Sequence, residues 1–180
     1  MERQATIYIS TEKTSMSETD FQTVKDALDG AIIAEAERES GVSDQLEKLL
    51  MEIETESDIS ELITEGKVIE KPNGAVILQY DESEISGMAG CVTKIMFNKS
   101  KPGFVVMMRD GEVNTSLSFE QGRRHISTYN TPYMPFRLCI NTVRVENTFF
   151  ENYEILIEYL IEIRGLSTDR NILKIRADIC

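Results

Sequence analysis

The chain has 180 residues, 41% hydrophobic and 28% charged, the balance of an ordinary globular domain with a sizeable core. Its formal charge of −12 disfavours general binding to polyphosphates, so no nucleic-acid partner is expected. No apolar run approaches the roughly 18 residues of a membrane-spanning helix, so no membrane partner is expected either.

The opening stretch MERQATIYIS has no apolar run leading to a small-residue cleavage site, and the expected location is the cytoplasm. Cys91, Cys139 and Cys180 are odd in number and far apart, no CxxC spacing occurs, and His125 is the one histidine. A zinc site of Cys and His therefore lacks its ligands, and no metal or cofactor is expected. Cys91 and Cys139 have no nearby partner that would lower a thiol pKa, and they read as small hydrophobes in strands.

In chain order, the first element is a strand, ATIYIST at 5–11. Segment 18–58 then holds 13 Asp/Glu against 3 Lys/Arg, a net of −10, so one stretch carries nearly all the excess charge. Within it Phe21, Val24, Leu28, Ala31 and Ile32 recur at the spacing of one helix face, and Ser17 or Thr19 can cap that helix. Gly41 stops the pattern, Ser43 caps the next, and Leu46, Leu49, Leu50 and Ile53 form a second face. The spacing predicts a helical hairpin over 18–38 and 43–54. It is an acidic insertion, 18–55, within a single β-domain spanning 1–180.

Strand patterns follow at 58–70, 75–80, 91–97, 103–109, 113–119, 123–129, 136–145, 154–164 and 171–177. Their connections carry turn residues: PNG at 72–74, KPG at 101–103, Asp110-Gly111 and EQG at 120–122. Strands in succession at this spacing predict an antiparallel meander that closes into a β-barrel of about 8–10 strands. In 154–164, Ile155, Ile157, Tyr159, Ile161 and Ile163 share one face, while Glu154, Leu156, Glu158, Leu160 and Glu162 make a mixed one. The apolar faces at 21–32 and 46–53 are candidates to pack on that mixed face.

TEGKV (64–68), YDESEISGMAG (80–90) with Thr93, MRDG (108–111), LSFEQGRR (117–124), YNTPY (129–133), Thr142, IEYLIEI (157–163) and RNILKI (170–175) occur in this order. Together they resemble the YwiB-like family, an uncharacterised bacterial group, over residues 5–14 and 56–177. The resemblance implies an up-and-down calycin (lipocalin-like) β-barrel that can hold an internal cavity, and it implies no activity. There are two departures. The helical insertion stands where the family has a shorter connection, and Met134-Pro135 follows TPY where the family has a glycine.

Candidate sites begin with YDESEISGMAG, where Asp81, Glu82 and Glu84 fall within four positions. An acid/base pair needs two separate environments, and a calcium loop needs acids at alternate positions with a glycine at the sixth. Neither pattern is present, so no catalytic residue is assigned. The stretch reads as a rim turn, its glycines supplying positive φ or close backbone approach. Arg109, Arg123 and Arg124 lie in neighbouring strands. An inward arginine would bind a carboxylate or phosphate through its fork of donors. Arg123 and Arg124 face opposite sides of a regular strand, so at most one of them points inward. The plainer alternative is a wall salt bridge, for example with Glu65. Tyr80, Tyr129, Tyr133 and Tyr159, with Thr93, Thr131 and Thr142, either line a pocket or bond backbone at the barrel ends. His125 has no sequence-evident acid or nucleophile beside it, and no GxSxG elbow, P-loop or GxGxxG occurs.

Two readings of function stay open. One is a binding barrel for a small, partly apolar ligand, held by residues drawn from Tyr80, Glu82, Glu84, Thr93, Arg109, Arg124, Tyr129, Tyr133 and Tyr159. The other is a protein–protein interaction module with a fully packed barrel and the acidic hairpin as contact surface. An enzyme using Arg109 or Arg124 with Glu65, Glu82 or Glu84 ranks last. The narrowest expectation concerns the rim, where Glu82 or Glu84 curls over the barrel mouth to meet Arg109 or Arg124.

Overall fold

Alternating apolar and polar residues give each strand one face that must leave water, and curling the sheet until its two edges meet buries all of those faces at once. The computed structural model describes residues 1–37, 57–84, 89–163 and 167–180. The wall is built of β1 (Glu2–Ser15), β2 (Ser57–Glu70), β3 (Ala75–Asp81), β4 (Val92–Asn98), β5 (Lys101–Asp110), β6 (Asn114–Glu120), β7 (Arg124–Asn130), β8 (Pro135–Asn147), β9 (Glu154–Ile163) and β10 (Ser167–Ile179). Helix α1 (Glu18–Glu37) follows β1, and the single-turn α2 (Phe149–Asn152) joins β8 to β9. Around the wall the order is β1-β10-β9-β8-β7-β6-β5-β4-β3-β2, closed and antiparallel throughout. The expected up-and-down barrel is therefore observed, with β1 as the closing stave between β2 and β10. No helix among the described residues is long and apolar enough to cross a membrane. The expected second helix at 43–54 lies outside the described residues.

Inward residues of every strand meet in one core that includes Ile7, Leu78, Ile95, Phe119, Ile140 and Ile157. Aromatics close one end of the barrel. Phe149 of α2 is 2% exposed and meets Phe97 and Tyr153 edge-on, at centroid distances of 5.1 and 5.2 Å. Tyr153 ends α2 in the left-handed region at φ 61°, which turns the chain back into β9.

α1 lies on the outside of the wall. The Asp20 N–H donates to the Ser17 hydroxyl oxygen at 3.1 Å, so Ser17 rather than Thr19 caps the helix. Acidic Glu18 and Asp20 then sit in the first turn, where the helix dipole favours them. Phe21, Val24 and Leu28 pack on Leu160 of β9 and Val143 of β8, so the helix uses the mixed face of β9 as expected. Val143 reaches α1 because of a register shift between Thr142 and Arg144 that leaves it without a cross-strand partner. On the same outer face the buried Glu158 accepts from Arg170 at 2.6 Å and lies 3.5 Å from Arg144. Replacing Val24, fully buried, with aspartate is expected to undock α1 and leave the barrel closed. Hydrogen exchange checks this: protection should be lost at 18–29 and kept in β4, β5 and β9. Equal loss in the barrel strands would show that α1 is integral to closure.

The ladder is thinnest between β6 and β7, where the register contains two pairs, Asn114 with Asn130 and Thr115 with Tyr129. Further along, the Ser127 hydroxyl donates to the Ser116 carbonyl in place of a backbone bond.

Candidate functional site

Opposite the aromatic end the barrel is open. The inward alternation continues to this mouth, but polar side chains take over. Lys13 follows Ile7 and Ile9 on the inward phase of β1, and Arg109 follows Val105 and Met107 on β5. Asp169 and Asn171 precede Leu173 and Ile175 on β10. These four polar residues share a cavity of about 370 Å³ with Tyr129 and Tyr159 and with an apolar wall of Leu117, Phe136, Leu138, Ile161 and Ile163. The volume lies at the small end of the roughly 300–1,000 Å³ typical of small-molecule sites, and the mix of apolar walls with a few polar groups is also typical.

Arg109 is the centre of the polar side. Its Nε donates to Glu82 Oε1 at 3.4 Å, and the Thr93 hydroxyl donates to the same oxygen at 2.5 Å. The Glu82 side chain is 3% exposed and that of Arg109 is 19% exposed, so the carboxylate sits behind the guanidinium and the cation faces the cavity. The Tyr80 phenol bonds Thr93 and Glu82; burial, and then the Glu82 charge, push its pKa above the ordinary phenol range. Burial also raises Tyr159, with the Arg109 charge opposing. Tyr159 is 8% exposed, its ring lies 4.8 Å from that of Phe119, and its hydroxyl has no hydrogen-bond partner among the described residues. Across the mouth, Lys13 Nζ meets Asp169 Oδ2 at 3.1 Å, and the Ser15 hydroxyl donates to Asp169 Oδ1 at 3.1 Å.

Gly66 holds this arrangement from behind. It pairs with Tyr80 across β2 and β3. A Cβ there would stand 2.5 Å from the Gln79 carbonyl oxygen and would collide with Ile7 Cδ1. The rim stretch itself is tied at its neck, where the Glu82 N–H donates to the Cys91 carbonyl at 2.9 Å, and Gly90 takes φ +83° in the returning turn. Gly87 lies outside the described residues.

The structure therefore gathers Tyr80, Glu82, Thr93, Arg109, Tyr129 and Tyr159 at the mouth, and of the rim pairings considered it contains Glu82 with Arg109. It does not gather the rest. Glu84 is exposed. Arg124 is on the outer wall, donating to Cys139 Sγ and lying 3.8 Å from Glu162, so Cys139 does have a cationic partner where the sequence showed none. Arg123 is exposed as well, so neither of the two points inward. Tyr133 is 95% exposed in a turn organised by the Thr131 hydroxyl, which accepts from the Tyr133 and Met134 N–H groups at 3.3 and 3.1 Å. Glu65 is exposed and accepts from Thr6 rather than from an arginine. His125 Nε2 is buried without a partner among the described residues, and its ring lies 6.3 Å from that of Phe104. No cluster of three His, Cys, Asp or Glu residues suited to a metal occurs among the described residues.

The two buried phenols predict a pH signature. Their pKa values are raised on folding, so their contribution to stability is complete below the unfolded value near ~10 and is lost as pH rises beyond it. In an alkaline titration followed by phenolate absorbance, two of the six tyrosines are expected to ionise only as the protein unfolds. Six ionising together in the folded protein near pH ~10 would contradict this.

The chain matches a family described as a domain of unknown function (DUF1934) over residues 46–175. Its structure is similar to the crystal structure of the ywiB protein from Bacillus subtilis, with a TM-score of 0.58 and 14% sequence identity over 97% of this chain and 93% of that chain. At that identity the likeness is one of fold. No curated protein matches the chain.

Proposed function

The chain belongs to the DUF1934 family, whose description carries no activity, and from the barrel mouth we propose that it binds a small, partly apolar molecule there. The observation that carries this reading is the cavity of about 370 Å³, whose apolar wall is interrupted by a guanidinium and two phenols. Burying hydrocarbon against Leu117, Phe136, Leu138, Ile161 and Ile163 supplies affinity at roughly 25 cal/mol per Å² removed from water, less the cost of immobilising the ligand. The polar groups then fix orientation. Two features favour this reading over an interaction module. The barrel is hollow at its mouth, and Phe21, Val24 and Leu28 of α1 lie against the protein's own wall instead of facing a partner.

Native mass spectrometry of the purified protein, followed by release and identification of bound compounds, tests the proposal. A small molecule retained by the wild type and lost from Leu138→Trp, which fills the cavity, is the expected result. Retention of the same molecule by a folded Leu138→Trp variant would place it elsewhere and remove the proposal.

A further inference from the structure

We infer that the mouth cavity takes a carboxylate-headed amphiphile, its carboxylate held between the Arg109 guanidinium and the Tyr159 hydroxyl. This deepens the proposed function and rests on it. Arg109 uses Nε on Glu82, and its two terminal nitrogens have no hydrogen-bond partner among the described residues. Those nitrogens form the fork that matches the two oxygens of a carboxylate, a geometry a lysine does not offer. Tyr159 supplies a second donor. Its side chain is more than nine-tenths buried and lines the same cavity. Thr115 supplies an independent sign: directly across the ladder from Arg109, it is 6% exposed and its hydroxyl is buried with no partner among the described residues, a costly state unless something completes it.

Charge selects an anion over a neutral head. The Lys13 charge is balanced by Asp169, which lines the cavity with it. The Arg109 charge is balanced by Glu82, but that carboxylate stands behind the guanidinium and is not part of the cavity wall. The cavity side of Arg109 is thus electropositive, while Phe136, Leu138, Ile161 and Ile163 offer an apolar surface to the rest of the ligand. Glu82 and Thr93 hold the guanidinium in place, so little of its motion is left to freeze on binding.

Calorimetric titration with octanoate, 1-octanol and octylammonium tests the inference on the full chain. The expected result is octanoate binding at least about tenfold tighter than octanol, with octylammonium weakest, because hydrogen bonds to a charged group are the stronger kind. Arg109→Gln is expected to weaken octanoate by about tenfold to a hundredfold and leave octanol within about twofold. Tyr159→Phe is expected to weaken octanoate by about two- to tenfold. Should Arg109→Gln fail to fold, Arg109→Lys and Tyr159→Phe decide the matter: full octanoate affinity in both would overturn the inference. Equal binding of octanoate and octanol, indifferent to these substitutions, would overturn the carboxylate and leave the cavity reading standing. Binding of none of the three would overturn both.

Discussion

Replacing Phe149 with alanine is expected to cost about 3–5 kcal/mol, among the larger losses a single residue of this chain can produce. The ring is 2% exposed and fills the closed end of the barrel, touching Phe97, Phe150 and Tyr153 edge-on. Its four-residue helix has no propensity to stand alone, so packing of that ring is what holds the helix in place. Strands β4, β8 and β9 would close over a void, because the wall around them is already fixed by its ladders. For a domain of this size the melting temperature should drop on the order of 10 °C. Denaturant unfolding measures the effect directly, and a loss under about 1 kcal/mol would show that the closed end is not packed around this residue.

Gly66→Ala is expected to cost about 3 kcal/mol or more, although it adds one methyl group. The new carbon would collide with the flexible end of Ile7 and with the backbone oxygen of Gln79. The first collision can be relieved by a rotamer change or by Ile7→Val. The second cannot, since moving that carbonyl shifts the ladder between β2 and β3 that presents Tyr80. The double variant Gly66→Ala, Ile7→Val should therefore recover only a minor part of the loss. Complete recovery in the double variant would show that the neighbouring strand yields and that Gly66 is a matter of side-chain space alone.

Most of the fold was legible because its elements obey two periods. Alternation over seven or more residues marks β3 to β9 within a few positions of their observed ends, and the spacing of Phe21, Val24 and Leu28 marks α1 and its buried face. α2 was not legible, since four residues are too few to show a period. The shift at Val143 was also invisible, because it falls in a run, 138–143, that is buried on both faces and so shows no clean alternation.

At the site, the rim stretch and Arg109 were visible, but local sequence does not choose among Arg109, Arg123 and Arg124. Which way an arginine points follows from where the inward phase falls, and that phase is clear only along the whole strand. Val105, Met107 and Arg109 share it on β5. The same signal would have found Lys13, Asp169 and Asn171, which were missed. Each is a polar residue standing on the apolar phase at a strand end. Tyr133 misled for the opposite reason, as an aromatic in a turn carries no phase at all.

The double pairing of β1 has a consequence for how the protein is made. Of the ten strands of the barrel, β1 is made before the others and finds one neighbour, β2, early, but its other neighbour is β10, the last of the ten, with Ala5 opposite Ile179. Until residue 179 emerges, one full edge of β1 stands without partners, and edges of that kind recruit other chains. Closure joins contacts across nearly the whole sequence, which makes it the slow event in folding. The nascent barrel therefore spends its synthesis as an open sheet, and substitutions that weaken β10 should lower the yield of soluble protein well before they lower the stability of what has closed.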